Sequence, residues 1–117
     1  MTAQTAQARL EAERDRAMAR IVELDRDFAG IVASVAEGSS GGDDEHDPEG
    51  ATVAYERQHV AALQAQARAH LADIGAALRK LDDGRYGVCD RCGQPIGDAR
   101  LAARPAALTC VRCAARR

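Results

Sequence analysis

Four cysteines fall within the last 29 residues of this 117-residue chain, as Cys89-Asp90-Arg91-Cys92 and Cys110-Val111-Arg112-Cys113, with 17 residues between the pairs. Each CxxC turn presents two thiolates on one side of the backbone. Two such turns close a tetrahedron around one Zn²⁺, at Zn–S distances of about 2.3 Å. No cysteine precedes residue 89, so the set balances and the metal organises only the C-terminal end. Disulfides would need an oxidising compartment, and a redox CxxC pair would need a βαβ setting; neither is suggested. The expectation is one structural zinc held by Cys89, Cys92, Cys110 and Cys113. Four thiolates leave the ion no open position for water, and no nucleophile–base pair is apparent, so an enzyme is not expected.

The rest of the chain has little with which to build a conventional core. Of its 46% apolar residues many are alanine, at 26, and the aromatics are only Phe28, Tyr55 and Tyr86. Alanine favours helix but buries little area. Long helices that share one narrow seam suit such a composition, with zinc stabilising the small remainder.

Two seams are legible. Leu10, Ala17, Ile21, Leu24, Phe28, Ile31 and Val35 form the first; from Ala17 onward their spacing alternates between four and three. Gly38 then suits a helix C-cap, and Ser39 to His46 cannot continue a helix well. Asp47 is a good N-cap, Pro48 suits the first helical position and Glu49 favours the positive helix end. The second seam runs through Val60, Leu63, Ala67, Leu71, Ile74, Leu78 and Leu81 and stops at Asp82-Asp83-Gly84. Two helices of about 35 residues, each roughly 50 Å long, joined by a short connection, predict an antiparallel hairpin. The expected class is all-α: a two-helix coiled-coil hairpin over residues 1–83, with an acidic tip loop at about 38–47, then a four-cysteine zinc finger over 84–117. The alternative pairs the first helix with a second copy. The matching lengths favour a monomer. Gly30 and Gly75 interrupt good helix and are expected to be tolerated at roughly 1 kcal/mol each.

Net charge is −2 but unevenly spread. Residues 37–50 hold six acids and no Lys or Arg, whereas residues 84–117 hold seven Arg against two Asp. No stretch approaches the ~18 apolar residues of a membrane span, and no signal peptide is evident, so a soluble cytoplasmic protein without membrane contact is expected.

The stretch Leu81-Asp82-Asp83-Gly84-Arg85-Tyr86-Gly87-Val88-Cys89-Asp90-Arg91-Cys92-Gly93, with Ile96, Ala99-Arg100-Leu101, Ala103-Arg104-Pro105 and Leu108-Thr109-Cys110-Val111-Arg112-Cys113, resembles the zinc-finger signature of the DksA/TraR family. The resemblance covers about 33 residues, and the upstream hairpin matches longer members in architecture. It implies direct binding to RNA polymerase: a coiled coil enters the secondary channel, its acidic tip nears the catalytic Mg²⁺ and the finger rests near the rim. It implies control of open-complex lifetime, often together with ppGpp at the polymerase interface.

At the tip the chain departs from the family. Longer members carry Asp-x-x-Asp-x-Ala there. Here Asp47 fits the first position, but Gly50 stands at the second acid and Thr52 at the alanine. That places synergy with ppGpp in question. Candidate partner-binding residues are Asp43, Asp44, Glu45 and Asp47 at the tip, and Arg91, Arg100 and Arg104 at the basic end. The basic end could also serve a nucleic-acid partner, or the chain could be a zinc-stabilised module for another protein. Direct sequence-specific DNA binding is not expected, because no C-x-x-C…H-x₃₋₅-H finger is present and aromatics suited to base stacking are nearly absent. His46 is expected to be exposed and idle, Gly93 to serve the knuckle and Tyr86 to pack where helix meets finger.

Overall fold

The computed structural model describes residues 2–38 and 48–116. The tip candidates Asp43, Asp44, Glu45 and Asp47, and also His46, lie outside the described residues. Helix α1 spans Ala3–Gly38 and α2 spans Pro48–Asp82. Two short helices follow, α3 at Asp98–Ala103 and α4 at Val111–Ala115. Strands are absent among the described residues; a single antiparallel bridge joins Val88 and Pro95. The all-α class with two long helices and a C-terminal cysteine cluster is as expected.

Both long helices have identifiable ends. Thr2 caps α1: its Oγ1 accepts the Thr5 N–H at 3.1 Å, and its carbonyl accepts the Ala6 N–H at 2.9 Å. At the end of α2 the Arg85 N–H reaches back to the Lys80 carbonyl at 2.8 Å, and the Gly84 N–H reaches that of Leu81 at 3.2 Å. Gly84 has φ +73°. This paired closure around a left-handed glycine turns the chain out of α2 and satisfies its last carbonyls. The helices pass through Gly30 and Gly75 without interruption. A Cβ at Gly30 would meet nothing within 4 Å, so no close approach demands glycine there.

The chain divides into two compact units, residues 18–68 and residues 1–17 with 69–117. In the mid-helix unit, 18–68, the seam is narrow. Leu24 is fully covered, while Ile21, Phe28, Ile31, Val60, Leu63 and Ala67 are half-buried. The helices run antiparallel: Asp25 of α1 accepts hydrogen bonds from Gln64 and Arg68 of α2, whereas Gly30 and Ile31 share a groove with Glu56 and Val60. Gln64 comes first and Arg68 second in holding the Asp25 carboxyl below the usual carboxylate range, against a smaller effect of burial.

The finger-bearing unit, 1–17 with 69–117, has two apolar clusters. One gathers Leu10, Ala17, Ile74, Ala77 and Ala106, flanked by Leu71, Leu78, Leu81 and Leu108. The other gathers Cys89, Ile96, Leu101 and Cys113. Tyr86 packs against both, and its hydroxyl donates to the Pro105 carbonyl at 2.7 Å. Helix and finger residues thus share one core, with Tyr86 at the junction as its position in the sequence suggested.

Candidate metal centre

The centre starts from the closure of α2 at Gly84. Three backbone bonds then fold a tight knuckle. The Ile96 N–H donates to Gly87 and the Cys89 N–H to Gln94, both at 2.8 Å, and the Gly93 N–H donates to Cys89 at 3.0 Å. Gly93, with φ +74°, completes the turn after Cys92; a side chain there would find open space, so backbone conformation alone selects glycine. The second pair is placed differently. Cys110 stands at the N-cap of α4 and Cys113 lies in its first turn. Between them the pairs are tied by the Asp90 N–H, which donates to Leu108 at 2.9 Å.

These constraints bring the four sulfurs within 4.8 Å of one another. The Cys92 and Cys110 sulfurs are 3.8 Å apart. A regular tetrahedron with Zn–S bonds of about 2.3 Å has sulfurs about 3.8 Å apart, so the donor set fits zinc in chemistry and size. None of the four cysteines is in a disulfide. Cys89 and Cys113 are buried, Cys110 is half-buried and Cys92 is exposed.

The thiols have unlike acidities. Burial opposes charge on Cys89, but N–H groups of Cys110, Cys92 and Arg91 aim at its sulfur, outweigh the burial and lower its pKa to about 6. The Arg91 N–H lies 3.4 Å from that sulfur. Cys110 is also lowered, first by the Cys113 N–H. Burial, and then the neighbouring thiols of Cys110, Cys92 and Cys89, push Cys113 up to about 12. Four sulfurs this close cannot all ionise by themselves; a divalent cation permits it, and binding releases the protons they still hold.

Basic side chains support the centre from outside. The Arg91 guanidinium donates from Nη1 to the carbonyls of Cys113, at 3.2 Å, and Arg116, at 2.9 Å. Arg100 Nε donates to the Thr109 carbonyl at 2.8 Å, one residue before Cys110. Two of the three arginines singled out at the basic end therefore hold backbone beside the cysteines; Arg104 is exposed. Lys80, the one lysine of the sequence, donates to the Val88 carbonyl and to Asp90. Elsewhere in the unit, Glu13 and His70 face each other at 3.8 Å.

Residues 84–117 match the family described as prokaryotic dksA/traR C4-type zinc finger. With its four clustered cysteines, the module carries a structural zinc ion. An uncharacterized protein, YteA of Bacillus subtilis, is 41% identical over 66 residues, which are 56% of this chain and 28% of that protein. The RNA polymerase-binding transcription factor DksA of Caulobacter vibrioides is 54% identical over 37 residues, 32% of this chain and 26% of its own length. Its namesake in Escherichia coli is 45% identical over 40 residues, again 26% of its length. The chain thus spans under a third of the length of these curated relatives. The structure of transcription factor DksA2 from Pseudomonas aeruginosa is similar over 93% of this chain and 82% of its own, with a TM-score of 0.50 at 28% identity. No helix among the described residues is long and apolar enough to cross a membrane.

Proposed function

We propose that the chain is a DksA/TraR-type factor, because residues 84–117 match that family's C4-type zinc finger and the likeness to DksA2 extends over 93% of the chain, and that it regulates transcription by binding RNA polymerase directly. One observation carries the reading. The family's finger occurs together with two helices of 36 and 35 residues, and the likeness to a DksA-type factor extends over both. The finger alone would suit many partners. The long helix pair gives it the parts needed to reach through a narrow channel.

In this reading the helices enter the secondary channel, and Asp43, Asp44, Glu45 and Asp47 carry negative charge toward the catalytic Mg²⁺ and its basic surroundings. Carboxylates are the protein groups such an ion prefers. The effect falls on open-complex stability or initiation. Zinc, with Cys89, Cys92, Cys110 and Cys113 as its four ligands, keeps the finger folded and takes no part in catalysis. Arg104 meets acidic polymerase surface, while Arg91 and Arg100 act mainly within the finger. With Gly50 where the family has a second acid, the response to ppGpp is weaker than in members that keep both acids.

The test is binding to the cognate polymerase, followed by in vitro transcription with and without ppGpp. The expected result is salt-tolerant co-purification and altered open-complex lifetime. A variant with Asp43, Asp44, Glu45 and Asp47 changed to Asn or Gln should still bind but lose the effect; Asn at position 47 can still cap a helix, so charge is separated from folding. Absence of polymerase binding, or co-purification of salt-sensitive nucleic acid instead, would overturn the reading.

A further inference from the structure

Lys80 is the only charged residue buried among those described, at 6% exposure. It lies in the last turn of α2. Its Nζ donates to the Val88 carbonyl oxygen and to Asp90 Oδ1, the latter at 2.7 Å. These two acceptors stand on either side of Cys89. Asp90 is in turn fixed through its N–H to Leu108. One ammonium therefore grips the first knuckle before and after its buried sulfur.

Packing alone does not call for a lysine there. A buried ammonium is expensive to desolvate, and replacing a buried ion pair with apolar side chains of like volume is often neutral or stabilising. The two acceptors give the ammonium a use on the metal side: they flank Cys89, so holding both fixes the backbone that carries its sulfur. Groups that orient metal ligands commonly alter metal affinity by roughly 10–100-fold.

We infer that Lys80 is a positioning residue of the zinc centre: its ammonium, clasped by the Val88 carbonyl and the Asp90 carboxylate on either side of Cys89, fixes the first knuckle on the end of α2 and slows zinc loss. The inference rests on the zinc centre and is independent of polymerase binding.

The experiment uses the full zinc-loaded chain and its Lys80→Met, Asp90→Asn and double variants. Zinc transfer to an excess of chromophoric chelator is timed, thermal unfolding is followed by circular dichroism, and the cobalt-substituted proteins report the thiolate set by their charge-transfer bands. Lys80→Met is expected to bind one zinc, keep the four-thiolate cobalt spectrum and melt no lower than the parent, yet release zinc about tenfold faster. Asp90→Asn is expected to accelerate release less, because the amide oxygen still accepts a hydrogen bond. The double variant should release zinc no faster than Lys80→Met, since the two groups act as one contact. Parent-rate release from Lys80→Met overturns the inference. So does faster release accompanied by an equal loss of thermal stability, which would mark Lys80 as ordinary packing. If Lys80→Met does not fold, Asp90→Asn decides: faster release at unchanged melting supports the inference, and parent-rate release overturns it.

Discussion

The mid-helix unit and the finger-bearing unit are made from the same two helices, yet they are held together differently. Among the described residues, of the apolar ones buried to below a tenth Leu24 alone belongs to residues 18–68. The others, from Ala6 and Leu10 through Ile74 and Ala77 to Leu101 and Cys113, belong to the finger-bearing unit. Two helices in contact can cover only a stripe of each other, and alanine widens that stripe little. Adding α3, α4 and the knuckles supplies a third surface. Small residues such as Ala77 and Ala106 then become core. Met18, Val22, Val32 and Tyr55 of the mid-helix unit have no such cover and remain exposed. Buried apolar surface is therefore concentrated in the finger-bearing unit, and the mid-helix unit relies on a seam.

The largest test of this contrast is removal of a thiolate. Cys113→Ser, or chelation of zinc, is expected to abolish stoichiometric zinc binding and unfold residues from about 84 onward, while residues 18–68 keep much of their helix. Metal analysis and residue-resolved hydrogen exchange would check this. Loss of protection throughout α1 and α2 at once would mean that the two units are one cooperative body.

Next comes one fully buried seam residue from each unit. Ile74→Ala removes a branched side chain from a packed cluster and is expected to cost about 2–5 kcal/mol. Leu24→Ala should fall toward the lower end of that range, because its surroundings can collapse more readily. Chemical denaturation gives the magnitudes, and exchange should place the Leu24→Ala effect within residues 18–68. Equal costs and equally spread effects would erase the distinction.

A smaller effect of opposite sign is expected at Gly30. Alanine there meets no neighbour, and relieves the helix penalty of glycine, so stability should rise by about 1 kcal/mol. A drop on thermal unfolding would reveal a bend that needs glycine.

The smallest concerns Asp25. Its folded pKa is depressed by Gln64 and Arg68. The stability it contributes is thus present above the ordinary carboxylate pKa of about 3.9 and is lost as pH falls through the folded value. Being exposed, the group is open to salt screening. Carboxyl titration by NMR should show the depression, and Asp25→Asn should abolish the associated acid dependence within residues 18–68.

Much of this was legible in the chain itself because periodicity and spacing are local. The seam residues Leu10, Leu24 and Ile74 are buried, α2 ends ahead of Gly84, and the two CxxC pairs converge. What escaped depends on long side chains reaching across turns. Lys80 reads as one more charge near a helix end, and Arg91 and Arg100 read as a basic surface. A charge count cannot tell whether a guanidinium points to solvent or returns to a carbonyl. That is settled by the closure at Gly84 and by the fold of the loop between the cysteine pairs. Alanines escaped for another reason: Ala77 and Ala106 look neutral in sequence, and only the third surface laid over them makes them interior.

The seclusion of Lys80 has a practical corollary. It is the only side-chain primary amine in the sequence, and it is covered and doubly engaged. An acylating reagent can reach it only when the knuckle swings away from the helix. The speed of its modification is therefore a clock for that opening, readable by mass spectrometry from a single site without any engineered label.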